Sequence, residues 1–143
     1  MSKKVEISLS GPCPIRQTVG STGYDICANE SMLIRPGERA LVKTGIHFLN
    51  VPNDIDIQVR SRSGLAYKHG VFVLNGIGTI DSDYRGELCV LLANLGNDLF
   101  TVAPGDRIAQ LVFAHVVHPS FCADAEESTS TERGTGGFGS TGR

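Results

Sequence analysis

The sequence predicts an all-β subunit of the jelly-roll-like sandwich or barrel kind, and three observations carry that expectation. Apolar and polar residues alternate with the two-residue period of strands almost throughout. Proline–glycine pairs stand where the chain must turn. Helical character is confined to one short stretch. Many short strands joined by Gly/Pro turns favour packed sheets or a barrel over any helix-based architecture.

The elements follow in chain order. Val5-Glu6-Ile7-Ser8-Leu9 alternates on a small scale and reads as a first strand. Pro36-Gly37 has the chemistry of a type II turn and leads into Glu38-Arg39-Ala40-Leu41-Val42. Asp54-Ile55-Asp56-Ile57-Gln58-Val59-Arg60 alternates strictly, as a strand with one wet face should. A short helical turn is expected around Ser63-Gly64-Leu65-Ala66-Tyr67-Lys68, ended by Gly70. Leu88-Cys89-Val90-Leu91-Leu92-Ala93 is nearly all apolar, which predicts a strand buried on both faces. Pro104-Gly105 repeats the turn design ahead of Asp106-Arg107-Ile108-Ala109-Gln110-Leu111-Val112. Ordered structure is expected to stop near Pro119. Residues 1–122 then form one β domain and residues 123–143 a flexible arm, made of an acidic aperiodic linker (123–132) and the glycine-rich stretch RGTGGFGSTGR.

At 143 residues the chain is long enough to bury a core as one domain without disulfide or metal staples. Its formal net charge of −2 gives no basic field, which argues against non-specific nucleic-acid binding and makes any phosphate recognition local. No apolar run is long enough to span a bilayer and no signal-peptide pattern is present, so no membrane partner is expected. Cys13, Cys27, Cys89 and Cys122 are scattered, with no Cys-x-x-Cys pair, which favours reduced thiols in the cytoplasm over zinc or disulfides. His47, His69, His115 and His118 lack metal-ligand spacing. There is no P-loop, His-Glu-x-x-His or Gly-x-Ser-x-Gly signature.

What remains is a set of polar islands between strands. The richest runs from Asn75-Gly76-Ile77-Gly78-Thr79-Ile80-Asp81 through Ser82-Asp83-Tyr84-Arg85-Gly86-Glu87. Its glycines permit tight turns and close approach to a ligand. On an extended chain Asp81 and Asp83 would face one side, where a carboxylate can serve as a general base; an ordinary Asx turn explains the same residues. Arg60-Ser61-Arg62-Ser63-Gly64 gathers guanidinium forks, hydroxyls and bare backbone N–H groups, the parts of a polyphosphate cradle, and reads equally as a solvated strand end. Gly23-Tyr24-Asp25 and Gly105-Asp106-Arg107 are explained by turn residues before a strand.

Taken together and in order, the islands say more. Ser21-Thr22-Gly23-Tyr24-Asp25-Ile26, Arg62-Ser63-Gly64-Leu65-Ala66, Gly78-Thr79-Ile80-Asp81-Ser82-Asp83-Tyr84-Arg85-Gly86, Gly105-Asp106-Arg107-Ile108-Ala109-Gln110-Leu111 and the stretch from Arg133 to Gly142 resemble the five ordered motifs of the trimeric dUTPase family. The resemblance covers nearly the whole chain. It implies a homotrimer of jelly-roll-like subunits with shared active sites, cleaving dUTP between its α and β phosphates with Mg²⁺, which limits uracil in DNA and supplies dUMP for thymidylate synthesis.

The resemblance also implies roles for individual residues. Asp81 is expected to activate the attacking water. The Tyr84 ring would pack on the deoxyribose and exclude a ribose 2′-hydroxyl. Asn75 and the backbone at Thr79, Ile80 and Cys89 would read uracil. Arg62, Ser63, Gly64 and Gln110 would serve the phosphates, and Asp25 would hold metal-bound water or an arginine. Mg²⁺ itself would be held by the triphosphate and water, with no direct protein ligand. Phe138 would stack on uracil, while Arg133, Gly139, Ser140 and Thr141 close over the phosphates as a lid. Arg107 is expected to pair with a nearby carboxylate. One departure stands out: the position before Arg62, proline in most of the family, is Ser61 here, which predicts a more mobile strand exit. A dCTP deaminase-like enzyme and a non-catalytic nucleotide-binding protein are the competing readings on the same scaffold. The glycine-rich fifth motif argues against the first, and Asp81 with Tyr84 against the second.

Overall fold

The computed structural model describes residues 4–123 and 130–143. Among them the elements run β1 (Ser8–Ser10), β2 (Tyr24–Cys27), β3 (Met32–Ile34), β4 (Arg39–Asn50), β5 (Ile55–Arg60), α1 (Ser63–His69), β6 (Val71–Val73), β7 (Gly78–Ile80), β8 (Glu87–Asn94), β9 (Phe100–Val102) and β10 (Arg107–His115). Two open four-stranded sheets form, ordered β1-β4-β8-β6 and β2-β10-β5-β7, beside the pair β3-β9. All of these pairings are antiparallel. One core unites them, with Val42, Phe48, Val90 and Leu92 from the first sheet. Ile26, Ile57, Ile108 and Leu111 enter it from the second, and Ile34 and Val102 from the pair.

Local chemistry accounts for the connections. Both Pro-Gly pairs make the type II turn their sequence requires: Gly37 sits at φ 81° and Gly105 at φ 90°. The Glu38 N–H donates to the Arg35 carbonyl and the Asp106 N–H to the Ala103 carbonyl, each at 3.0 Å. In β5, Ile55, Ile57 and Val59 point into the core while Asp56, Gln58 and Arg60 point away, as strict alternation demands. The expected helical turn is α1, closed by Gly70 in the left-handed conformation. No strand or helix follows β10 in residues 116–123. The acidic linker expected over 123–132 falls largely on residues 124–129, which lie outside the described residues.

Two expectations need correction. The first strand does not span residues 5–9. Its partner β4 ends at Asn50, opposite Ser8, so residues before Ser8 run past the end of the ladder. Nor is β8 buried on both faces. Leu88, Val90 and Leu92 fill the core, whereas Cys89 and Leu91 are only half-buried. Leu41, paired with Leu91, is 57% exposed on that same outer face. Among the described residues the outer face of the run is only partly covered.

Candidate active site

The third motif forms the connection from β7 in the second sheet to β8 in the first. β7 pairs with β5, Ile80 opposite Ile57, so Asp81 leaves the ladder level with Asp56. The chain does not stay extended there. The Tyr84 N–H donates to the Asp81 carbonyl at 3.1 Å in a backbone turn. Arg85 Nη1 locks the turn by donating to the carbonyls of Ser82 (2.8 Å) and Tyr84 (3.1 Å). Asp81 and Asp83 still open on one concavity of about 680 Å³, shared with Thr79, Ser82 and Asp56. Asp81 also borders a second, of about 280 Å³, lined by Leu41, Thr79, Ile80, Tyr84, Glu87 and Cys89. No ion pair among the described residues engages Asp81, so no cation competes for its lone pairs.

Tyr84 is tightly placed. Its hydroxyl donates to the Glu87 carbonyl at 3.0 Å. Its ring lies directly over Gly86, where a Cβ would stand 2.5 Å from Cζ. The Glu87 carboxylate in turn accepts the Gly45 N–H at 3.2 Å, tying the start of β8 to an irregularity in β4 between Lys43 and His47. Cys89 lines the smaller concavity. Burial and the neighbouring Glu87 carboxylate push its thiol above the ordinary range, against the opposing pull of Lys43. Asn75 lies on the loop before β7 with its amide against Gly78.

The phosphate-type residues gather elsewhere. Asp25 on β2, 14% exposed, receives Arg107 at 3.2 Å on one oxygen and faces Arg62 Nε at 3.7 Å on the other. Arg107 thus has the carboxylate partner expected of it, and of the two roles considered for Asp25 the geometry displays arginine binding. Arg62 Nη1 donates to the Arg107 carbonyl at 3.0 Å, bracing motif against motif. Gln110 donates through Nε2 to the Ser61 carbonyl at 2.9 Å, and its amide packs on Gly23, where any side chain would collide with it. Ser63 and Gly64 open α1 with exposed side-chain positions and nothing within 4 Å of a Cβ at Gly64.

The two groups lie at opposite ends of β5. Gln110 pairs with Arg60, while Asp81 is level with Asp56. Four residue steps at roughly 3.3 Å each separate them by about 13 Å. The C-terminal arm is a run of turns in which Gly136, Ser140 and Gly142 N–H groups donate to the carbonyls of Arg133, Gly137 and Gly139. Arg133 Nε donates to the Gly136 carbonyl at 3.0 Å, and Phe138, at φ 51°, is fully exposed. Gly139 and Thr141 are exposed beside it, and no hydrogen bond among the described residues joins the arm to either group.

A dUTPase family model matches residues 10–142, all five polar islands included. The chain belongs to the dUTPase family. It is 56% identical to the deoxyuridine 5′-triphosphate nucleotidohydrolase of Chlamydia muridarum over 131 residues, 90% of each chain. The enzyme of that name from Cytophaga hutchinsonii is 46% identical, across 99% of this chain and 92% of its own. Among solved structures, Staphylococcus bacteriophage 80alpha dUTPase with dUpNHpp superposes with a TM-score of 0.84 at 26% identity, covering 96% and 99% of the two chains. The phage phi11 dUTPase, described with a structural Mg(II) ion, shares the fold at 22% identity and a TM-score of 0.78, over 87% and 99%.

Sequence reasoning missed the part that Leu41 and Glu87 play in these sites, and one contact of Ser61. Leu41 reaches the smaller concavity from a strand some forty residues away and carries no local signal. Glu87 closes the richest island, but no role is assigned to it from the sequence. Ser61 is expected among the cradle hydroxyls and stands out for not being proline, but nothing local marks the bond it makes, in which its hydroxyl accepts the Val73 N–H at 2.8 Å.

Proposed function

We propose that this chain hydrolyses dUTP to dUMP and pyrophosphate at sites shared between the jelly-roll-like subunits of a cytoplasmic homotrimer. Family membership supports the reaction. The observation that carries the shared site is the separation along β5. The triphosphate chain, α to γ, is shorter than the roughly 13 Å between Asp81 and Gln110 levels. The separation favours a substrate that takes Asp81 from one copy and the phosphate group of residues from another. The uncovered apolar face of Leu41 and Leu91 supports association as well.

In this mechanism the smaller concavity receives uracil. The backbone at Thr79, Ile80 and Cys89, with the Asn75 amide, presents fixed donors and acceptors that cytosine would leave unpaired. Tyr84 closes on the deoxyribose. The Asp81 carboxylate takes a proton from a water aligned with the α-phosphorus. A new P–O bond forms from that water as the bond to the α,β-bridging oxygen breaks, and pyrophosphate leaves. Arg62, the Ser63 hydroxyl, the Gly64 N–H and Gln110 of the neighbouring copy hold the charge that develops on it. The arm closes the site, Phe138 over the base, with Arg133, Gly139, Ser140 and Thr141 around the outer phosphates.

No group of three His, Cys, Asp or Glu side chains among the described residues is arranged as a cation cage. A magnesium ion would arrive on the triphosphate and keep its waters, while Asp25 holds Arg107 and faces Arg62 beside the phosphate residues. When bound, that ion supplies charge neutralisation to the phosphates. The product dUMP feeds thymidylate synthesis, and removal of dUTP keeps uracil out of DNA.

Pyrophosphate release in the presence of Mg²⁺ from dUTP, dCTP and UTP tests the proposal. Release from dUTP alone is expected. Formation of dUTP from dCTP, or nucleotide binding without turnover, would overturn it.

A further inference from the structure

Ser61 occupies the position where a strand exit without proline is expected to loosen. In the structure this position makes two hydrogen bonds, one through its hydroxyl and one through its carbonyl. β6 is the edge strand of its sheet, with β8 on one side only. Val73 in β6 is 2% exposed, so an unpaired N–H there would be a buried donor without water. The Ser61 hydroxyl accepts that N–H at 2.8 Å. The Ser61 carbonyl accepts the Gln110 amide at 2.9 Å, and the next residue, Arg62, is braced on Arg107 and Asp25. One residue therefore joins β6, β10 and the start of α1. Proline would stiffen this point through its ring but offers no side-chain acceptor to Val73.

We propose that Ser61 is a positioning residue for the triphosphate: its hydroxyl fixes the Arg62-Ser63-Gly64 loop and Gln110 by anchoring them to the edge of β6. This rests on the reading of those residues as the pyrophosphate-holding part of a dUTP site. The effect reaches groups that hold the β and γ phosphates and spares those that hold uracil and deoxyribose, about 13 Å away along β5.

The test compares the wild-type protein with Ser61→Ala and Ser61→Thr. The measurements are the KM for dUTP, the inhibition constants of pyrophosphate and dUMP, and hydrogen exchange at the Val73 amide. Ser61→Ala is expected to raise the dUTP KM and the pyrophosphate constant by roughly three- to tenfold, the cost of one hydrogen bond. The dUMP constant should stay within about twofold, and Val73 exchange should accelerate. Ser61→Thr, which keeps the hydroxyl, should restore wild-type values. If Ser61→Ala does not fold, Ser61→Cys, a weak acceptor of similar size, should show the same pattern. Equal weakening of dUMP and dUTP, or unchanged Val73 exchange, overturns the inference. A wild-type protein that binds neither nucleotide overturns the functional reading instead.

Discussion

Replacing Gly86 by alanine isolates the sugar wall from the rest of the site. Gly86 does not adopt a positive φ, so alanine meets no backbone strain there. The conflict is with Tyr84 alone: the new Cβ would overlap its hydroxyl and stand 2.5 Å from Cζ and 2.9 Å from Cε2. Carbon atoms rest near 3.5–4.0 Å apart, so the ring must retreat by about 1 Å. That retreat breaks the 3.0 Å bond from the Tyr84 hydroxyl to the Glu87 carbonyl. The lost bond costs about 1 kcal/mol, or roughly fivefold in productive dUTP binding. The larger effect is expected on discrimination, because a displaced ring no longer holds the position from which it would exclude a ribose 2′-hydroxyl. The preference for dUTP over UTP should fall by at least roughly tenfold. The assay is kcat/KM for both nucleotides in wild type and Gly86→Ala, with thermal unfolding to confirm the fold. A folded variant with unchanged preference would refute the assignment of Tyr84 as the sugar wall.

Other perturbations probe separate parts of the account. Gly64→Ala should raise stability by about 0.5–1 kcal/mol, because Gly64 lies within α1 with open space at Cβ, yet raise the KM for dUTP by obstructing the phosphates. Thermal unfolding and steady-state kinetics read the two effects. Burial and Glu87 raise the Cys89 pKa, so near pH 8 less of it is thiolate than in an ordinary cysteine. Iodoacetamide followed by peptide mass spectrometry should therefore label exposed Cys13 and Cys122 first, with Cys89 gaining reactivity only as pH rises further. A chain ending at Glu132 should fold and associate as the full chain does but lose most dUTP turnover. Full activity there would remove the arm from the site.

How much of this was legible in the sequence depends on the range of each interaction. The Pro-Gly turns, the alternation of β5 and the stop at Gly70 are local, set by backbone geometry and period, and the structure reproduces them. β1 came out shorter because strand length depends on where a distant partner ends, which residues 5–9 do not encode. The run from Leu88 to Ala93 reads as buried on both faces, whereas the described residues cover one side fully and the other only in part, because composition does not say which face a neighbouring strand or loop will cover. The same holds within the site. Gly78 to Gly86 announced themselves as a ligand-approaching island. Leu41, the Glu87–Gly45 contact and the Ser61–Val73 bond join segments from twelve to more than forty residues apart and leave no mark in either segment. The residues of the third and second motifs were all identifiable, but only strand register placed them at opposite ends of β5.

That placement makes the shared site the claim most open to direct test. Asp81→Asn removes the base from one face of the site, and Gln110→Ala removes a phosphate contact from the other. Each variant alone should bind nucleotide and turn over dUTP poorly, with Asp81→Asn down by roughly 10²–10⁴-fold. Co-refolded in equal amounts, they should form mixed assemblies in which about a quarter of the sites pair an intact Asp81 with an intact Gln110 from a different copy. Recovery of dUTP hydrolysis to about that fraction of wild type is the predicted result. Activity no greater than the average of the two variants, in assemblies shown to be mixed, would contradict a site built from two chains.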